Sequence, residues 1–224
     1  HFKSILAENP PEPDAVAEAA LRGVEKLDRS VVYARPTHFL VDERDWVANP
    51  VGIFARRLDV VMLVLLGASK HLEAWKRVFE RAGIDKAWPV ISAWSTLCGV
   101  MTPAESTGKR LTLDLGADFL NIFVSENHAI TDYVVQLNRS LKSSDLAYEI
   151  QKIVQKILDK SAGVVEVVVT GDLFPDEELL QLLKDKINLP IRESGPFWVP
   201  ELKEPGFSSL VGLLGAAYEL EKKE

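Results

Sequence analysis

The residues best placed for chemistry are Asp114 and Gly116, in the run Leu111-Thr-Leu-Asp-Leu-Gly-Ala-Asp-Phe-Leu-Asn-Ile-Phe-Val-Ser-Glu-Asn-His128. An apolar strand delivers both residues to a tight turn, and a second strand runs straight back. A carboxylate at such a turn can hold a Mg²⁺ ion or a water, and a turn glycine lets backbone N–H groups come close to an anion. The competing reading is a strand-end aspartate that accepts hydrogen bonds from nearby turn amides.

Other groups carry less. Asp118, Glu126 and Asp132 would suit acid–base work as a pair, but nothing in the pattern brings them together, and solvated strand edges explain them. His38 and His128 read as loop or core histidines, since the four histidines show no metal-ligand spacing. Cys98, the single cysteine, reads as packing on a short apolar helix and excludes an internal disulfide framework. No Gly-x-Ser-x-Gly elbow, Walker loop or His-Glu-x-x-His motif is present. In the charged loop Asp42-Glu-Arg-Asp-Trp-Val47, Trp46 is a candidate anchor for a protein partner. A tryptophan folded back over a strand end is the alternative.

The elements that must position these residues follow from periodicity and turn signals. Phe2 to Leu6 reads as a short strand. Pro13 opens a helix whose apolar stripe runs through Ala15, Val16, Ala19, Ala20, Val24 and Leu27. Ser30 to Ala34 and His38 to Val41 read as two strands on either side of Arg35-Pro36, and 59–66 as a buried strand. An amphipathic helix is expected over 70–82 with Gly83 at its C-terminal end, then a strand around Trp88 to Ile91 and a short helix around Ser95 to Met101. Thr102 to Lys109 is a polar loop and the expected boundary. Beyond it come strands 110–115, 119–125 and 129–136, helix 144–160, strand 164–169, helix 176–186, strand 189–192 and a helix near 207–222. Three antiparallel strands followed by an α/β crossover is the order of a ribonuclease H-like half-domain.

At 224 residues, with 47% apolar and 26% charged residues, the chain can bury one substantial core or two modest ones. A net charge of −7 offers no electrostatic footprint to nucleic acid. The longest apolar run, Val60 to Leu66, is far shorter than the roughly 20 residues a membrane span needs. No signal peptide is seen, and the cysteine usage suits a reducing, cytoplasmic compartment. The chain starts at His1 without an initiator methionine, as a trimmed or incomplete chain would.

Several segments, in order, resemble the bacterial division protein FtsA. These are His1-Phe-Lys-Ser4, Arg35-Pro-Thr-His-Phe-Leu-Val-Asp42, Asn49-Pro-Val-Gly-Ile-Phe-Ala-Arg-Arg-Leu58 and Val78-Phe-Glu-Arg-Ala-Gly-Ile84. The resemblance runs over residues 1 to about 125 and resumes from about 164 to 217. It implies an α/β chain with a partial actin-like ATPase (ribonuclease H-like) fold and a small α+β subdomain at the N-terminus. The implied organisation is 1–66 as the FtsA-type interaction subdomain, 67–109 as a connecting helix–strand–helix segment, and 110–224 as the actin-type domain. The family's first phosphate loop would lie upstream of residue 1, and the short connection after Gln136 implies that most of the outer subdomain is missing.

By the same resemblance, Asp114 and Gly116 stand in the second phosphate motif, where the family has a fuller glycine run. Val167-Val-Val-Thr-Gly-Asp172 stands where the family has an adenosine motif, which makes Thr170 and Gly171 the matching candidates. Asp172 replaces its next glycine and would crowd and repel a nucleotide. An ordinary strand-to-helix turn is the competing reading there. The implied cofactor is ATP or ADP with Mg²⁺, the metal on Asp114. The implied function is a division scaffold or adaptor linking cytoskeletal and membrane components by protein contacts, with at most weak ATPase activity. Its partners would be other division or envelope-assembly proteins and further copies of itself. It would lie in the cytoplasm, reaching the inner membrane through partners, since the acidic end Tyr218-Glu-Leu-Glu-Lys-Lys-Glu224 is unlike a membrane-binding helix. Two alternatives remain at this point: a PilM-like or secretion L-protein-like platform for type IV pili or type II secretion, and an ATP-dependent phosphotransferase whose first phosphate loop is missing.

Overall fold

The computed structural model describes residues 4–5, 28–47, 50, 52–84, 87, 89–102, 104–127, 129–138, 142–171 and 176–194. The helix expected from Pro13 to Leu27, the helix near 207–222, His128 and Asp172 lie outside the described residues. The chain divides into two compact units, His1–Ile91 and Ser92–Glu224.

In the first unit, strand β1 (Ser4–Ile5) pairs antiparallel with β4 (Phe54–Ala55). A separate three-stranded sheet has the order β3-β2-β5, with β2 at Arg29–Val41, β3 at Asp45–Val47 and β5 at Leu58–Ala68. The two strands expected around Arg35-Pro36 are one continuous strand. Proline lacks the N–H that a ladder needs, but β3 pairs only with residues 39–41 of β2. Pro36 therefore sits where β2 has one ladder partner, β5, beside a register shift between Pro36 and His38. The charged stretch 42–47, expected as a loop, is instead the turn and return strand of a hairpin. Asp42 and Glu43 adopt positive φ at its turn, and Asp42 Oδ1 accepts from the amides of Arg56 and Arg57 at 2.7 and 2.8 Å.

One sheet face carries Phe39 and Val41, both buried. The alternate positions put Trp46 opposite Leu40 on the other face, with His38 and Val61 in register. Helix α1 (Ser69–Arg81) follows β5 directly and has no buried residue. Its Leu72 packs close to Gly67, while Trp75 and Val78 are exposed. Gly83, at φ +77°, ends it with Ile84 N–H bonded back to Phe79 O at 2.9 Å. Residues 89–91 do not form the expected strand, and Val90 is half-exposed.

The second unit opens with helix α2 (Ser92–Val100). Its sheet has the order β10-β9-β6-β7-β8, with β6 at Arg110–Leu115, β7 at Phe119–Glu126, β8 at Ala129–Leu137, β9 at Glu166–Thr170 and β10 at Ile191–Glu193. Strands β6, β7 and β8 form an antiparallel meander, while β9 and β10 run parallel to β6. This is the arrangement expected of a ribonuclease H-like half-domain. Helices α3 (Ser143–Leu158) and α4 (Glu177–Lys186) supply Leu146, Ile150, Val154, Leu179 and Leu183 to an apolar core. That core is built on Leu111, Leu113, Leu115, Ile122, Val167 and Val169 of one sheet face. Each fully buried aliphatic side chain contributes about 1.5–3 kcal/mol. The opposite face is different in kind: it carries Thr112, Asp114, Asn121, Ser125 and Thr170, and α2 packs on its β6 and β7.

Between α2 and β6, the amide and hydroxyl of Thr102 donate to Glu105 Oε2 at 2.8 and 2.9 Å, and Glu105 N–H donates back to the Thr102 hydroxyl at 3.2 Å. This reciprocal cap starts the 3₁₀ turn Glu105–Thr107. Arg110, Glu166, Arg192 and Glu105 join in an ion-pair chain at the start of β6 and β9.

Candidate functional site

Asp114 lies one residue before the end of β6, and Gly116 just after it. Thr170 ends β9, and Gly171 follows. The parallel register sets Asp114 directly beside Thr170. The four residues therefore converge at the carboxyl ends of two adjacent parallel strands, the edge at which open α/β sheets hold ligands.

The Asp114 carboxylate is engaged by side chains. The hydroxyl of Thr96, on α2, donates to Oδ2 at 3.0 Å, and Asn121 Nδ2 donates to the same oxygen at 3.2 Å. Asn121 Oδ1 in turn accepts from the Tyr133 hydroxyl at 2.9 Å and the Ser92 hydroxyl at 3.2 Å. A network of five side chains thus ties α2 to β6, β7 and β8. Burial pushes the Tyr133 phenol up, the Asp114 charge adds to the rise, and a hydrogen bond with Ser92 opposes it.

Both glycines answer to the protein's own backbone. Gly116 N–H donates to Phe119 O at 3.1 Å, and a Cβ at 116 would stand 2.7 Å from that same oxygen. Asn138 holds the turn from outside, donating its amide to Asp118 O at 2.8 Å and its side chain to Gly116 O at 3.3 Å. Gly171 has φ +111° and lies hard against Leu115.

At the β6–β7 turn the Gly116 amide is spent within the hairpin, on Phe119 O. Among the described residues no group of three or more His, Cys, Asp or Glu side chains could hold a metal ion. A Mg²⁺ on Asp114 would depend on phosphate oxygens and waters for its remaining ligands. One polar group at the corner stays uncommitted: the Thr170 hydroxyl is fully buried and has no hydrogen-bond partner among the described residues.

The other candidates fall elsewhere. Asp118 and Glu126 sit at opposite ends of β7, Glu126 paired with Lys109 at 3.2 Å, and Asp132 lies along β8 opposite Val124. Trp46 is 62% exposed on β3, with the His38 ring edge-on at 6.2 Å and 88°. Thr96, Asn121, Tyr133 and Ser92 escaped the sequence reading. A signal for Asn121 existed, because a hairpin turning at 117–118 places residue 121 opposite 114.

Comparison with known proteins gives a consistent likeness. Residues 11–66 match the model of the SHS2 domain inserted in FtsA. The cell division protein FtsA of Streptococcus pneumoniae serotype 2 is 25% identical over 139 residues, covering 58% of this chain and 30% of that protein. FtsA of Neisseria meningitidis serogroup B is 24% identical over 194 residues, covering 80% of this chain and 47% of that protein. The chain thus spans less than half the length of the curated relatives it matches. A chain of the solved PilM–PilN type IV pilus biogenesis complex superposes with a TM-score of 0.66 at 13% identity, over 94% of this chain and 74% of that one. That last likeness is one of fold.

Proposed function

Taking an FtsA-like chain with the actin-like ATPase fold as the premise, we propose that it works as a scaffold or adaptor in bacterial cell division. It acts through protein contacts, and its nucleotide motifs are degenerate. In this reading residues 1–66 form the interaction subdomain, 67–109 connect, and 110–224 form the actin-type domain without its outer subdomain. Trp46 anchors a partner, either another division protein or a further copy. The protein is cytoplasmic and reaches the membrane through partners; among the described residues no helix is long and apolar enough to cross one.

The observation that carries the reading is how the corner's polar groups are used. Asp114 is held by Thr96 and Asn121, and the Gly116 amide by Phe119. A site built for fast phosphoryl transfer would aim such groups at the ligand. The block Arg35 to Leu58, which favours division over pilus assembly, lies within the matched SHS2 region. Titration calorimetry of Mg-ATP and Mg-ADP into the complete natural gene product, with Asp114→Ala alongside, tests this. No heat up to millimolar nucleotide is expected. Micromolar binding that disappears in the variant would overturn the degenerate-motif reading and make nucleotide a regulator of the scaffold.

A further inference from the structure

We infer that the outer edge of β8 pairs antiparallel with the same edge of a second copy of this chain, across a two-fold axis at Gln136. Strand β8 ends the five-stranded sheet and, among the described residues, has β7 as its one neighbouring strand. Hydrogen bonding along an antiparallel pair alternates, so every second residue turns its amide and carbonyl away from the partner strand. Two observations fix which residues those are. Asn138 N–H donates to Asp118 O, just before β7, at 2.8 Å, so the even-numbered residues from 132 to 138 bond inward. The Tyr133 amide instead donates to Asp132 Oδ1, the side chain next to it, at 2.9 Å. Tyr133, Val135 and Leu137 therefore turn outward, and Asp132 closes the edge at Tyr133. The backbone groups of Val135 and Leu137 stay open among the described residues.

The side chains at this edge are as open as the backbone. Val135 is 49% and Leu137 59% exposed, and Phe119, opposite Leu137 in the ladder, is 50% exposed. All three share the sheet face that carries Asn121. Natural sheets guard such edges with charges, prolines or bulges. Tyr133–Asn138 has no charged residue and no proline, and the register of Tyr133–Leu137 with β7 is unbroken. The occupant follows from self-complementarity. With Gln136 facing Gln136 of the other copy, each Val135 meets the other copy's Leu137 in a hydrogen-bonded pair, and every open backbone group is used. Apolar side chains then run across the join, from Phe119 and Leu137 to the other copy's Val135. The net charge of −7 opposes self-association elsewhere on the surface, but not along this uncharged stretch. The contact is isologous and closes at two copies. It is separate from Trp46 and holds whatever role the chain plays.

Sedimentation of the full-length protein in a Trp46→Ala background, which removes the other candidate contact, tests this. Dimers should form, and Leu137→Lys should weaken them tenfold or more with little change in the unfolding midpoint. Cross-linking reads the register. In a non-hydrogen-bonded pair the Cα atoms stand about 4.5 Å apart, within reach of a disulfide. With Cys98→Ser in place and diamide as oxidant, Gln136→Cys should give disulfide-linked dimers. Thr131→Cys, far along the ladder from its counterpart, should not. A protein that stays monomeric at high micromolar concentration overturns the contact. So does self-association untouched by Leu137→Lys, and so does cross-linking as strong at position 131 as at 136.

Discussion

Gly171 stands against the backbone of Leu115: a Cβ at position 171 would lie 2.5 Å from the Leu115 nitrogen and 2.6 Å from its carbonyl oxygen. The chain leaves β9 with φ +111° at this point, a conformation that L side chains rarely adopt. The glycine is thus needed to bring β9 alongside β6, whatever the corner binds.

Gly171→Ala should therefore destabilise the protein by about 2–5 kcal/mol, combining backbone strain with a backbone clash. Gly163 is the control. It also has a positive φ, +87°, but its Cβ would meet nothing within 4 Å. Gly163→Ala should lose only about 1–2 kcal/mol. Urea unfolding midpoints compare the two, and equal losses would mean that the approach to Leu115 is relieved cheaply.

Tyr133 gives the network a signature in alkali. Its phenol is raised above the ordinary value of 10.0, chiefly by burial. The folded state therefore keeps the proton after the unfolded chain has released it. The stabilisation is fully present below the unfolded value and is lost as pH rises from there through the raised folded value. Unfolding followed across that window should show the wild type losing stability with rising pH. Tyr133→Phe should lack that component, so the gap between the two proteins narrows. A gap that is constant with pH would remove Tyr133 from the titrating groups.

Trp46 is the test of the partner surface. At 62% exposure it contributes little to folding, so Trp46→Ala should move the unfolding free energy by no more than about 0.5 kcal/mol. Self-association of the full-length protein, followed by sedimentation, should weaken by tenfold or more if copies of the chain meet there. A marked fall in stability would make Trp46 a cover for its own hairpin.

Much of the second unit is legible in the sequence. Alternation of Leu111, Leu113 and Leu115, broken at Gly116 and resumed at Phe119, is enough to define a hairpin, and the meander and crossover follow from local periods. The network around Asp114 was not readable in the same way. Thr96 lies 18 residues away on a helix, and only packing of α2 on the sheet brings its hydroxyl to the carboxylate. Pro36 misled for a related reason. Proline breaks a strand paired on both sides, and nothing local reveals that β3 is too short to reach it. The expected strand at 88–91 rested on apolar residues alone, and such a run specifies burial only when another strand is there to pair with it.

Helix α1 carries a last consequence. Among the described residues, these thirteen, none of them buried, are held by their own backbone bonds, by Leu72 beside Gly67 and, at the first residue only, by Ser69 bonded to Ser30 and Asp28. An isolated helix of that length is only marginally stable in water. Its opening is therefore a local event, largely uncoupled from the sheet it follows, and its amide protons will trade with solvent long before those of β2 and β5 do.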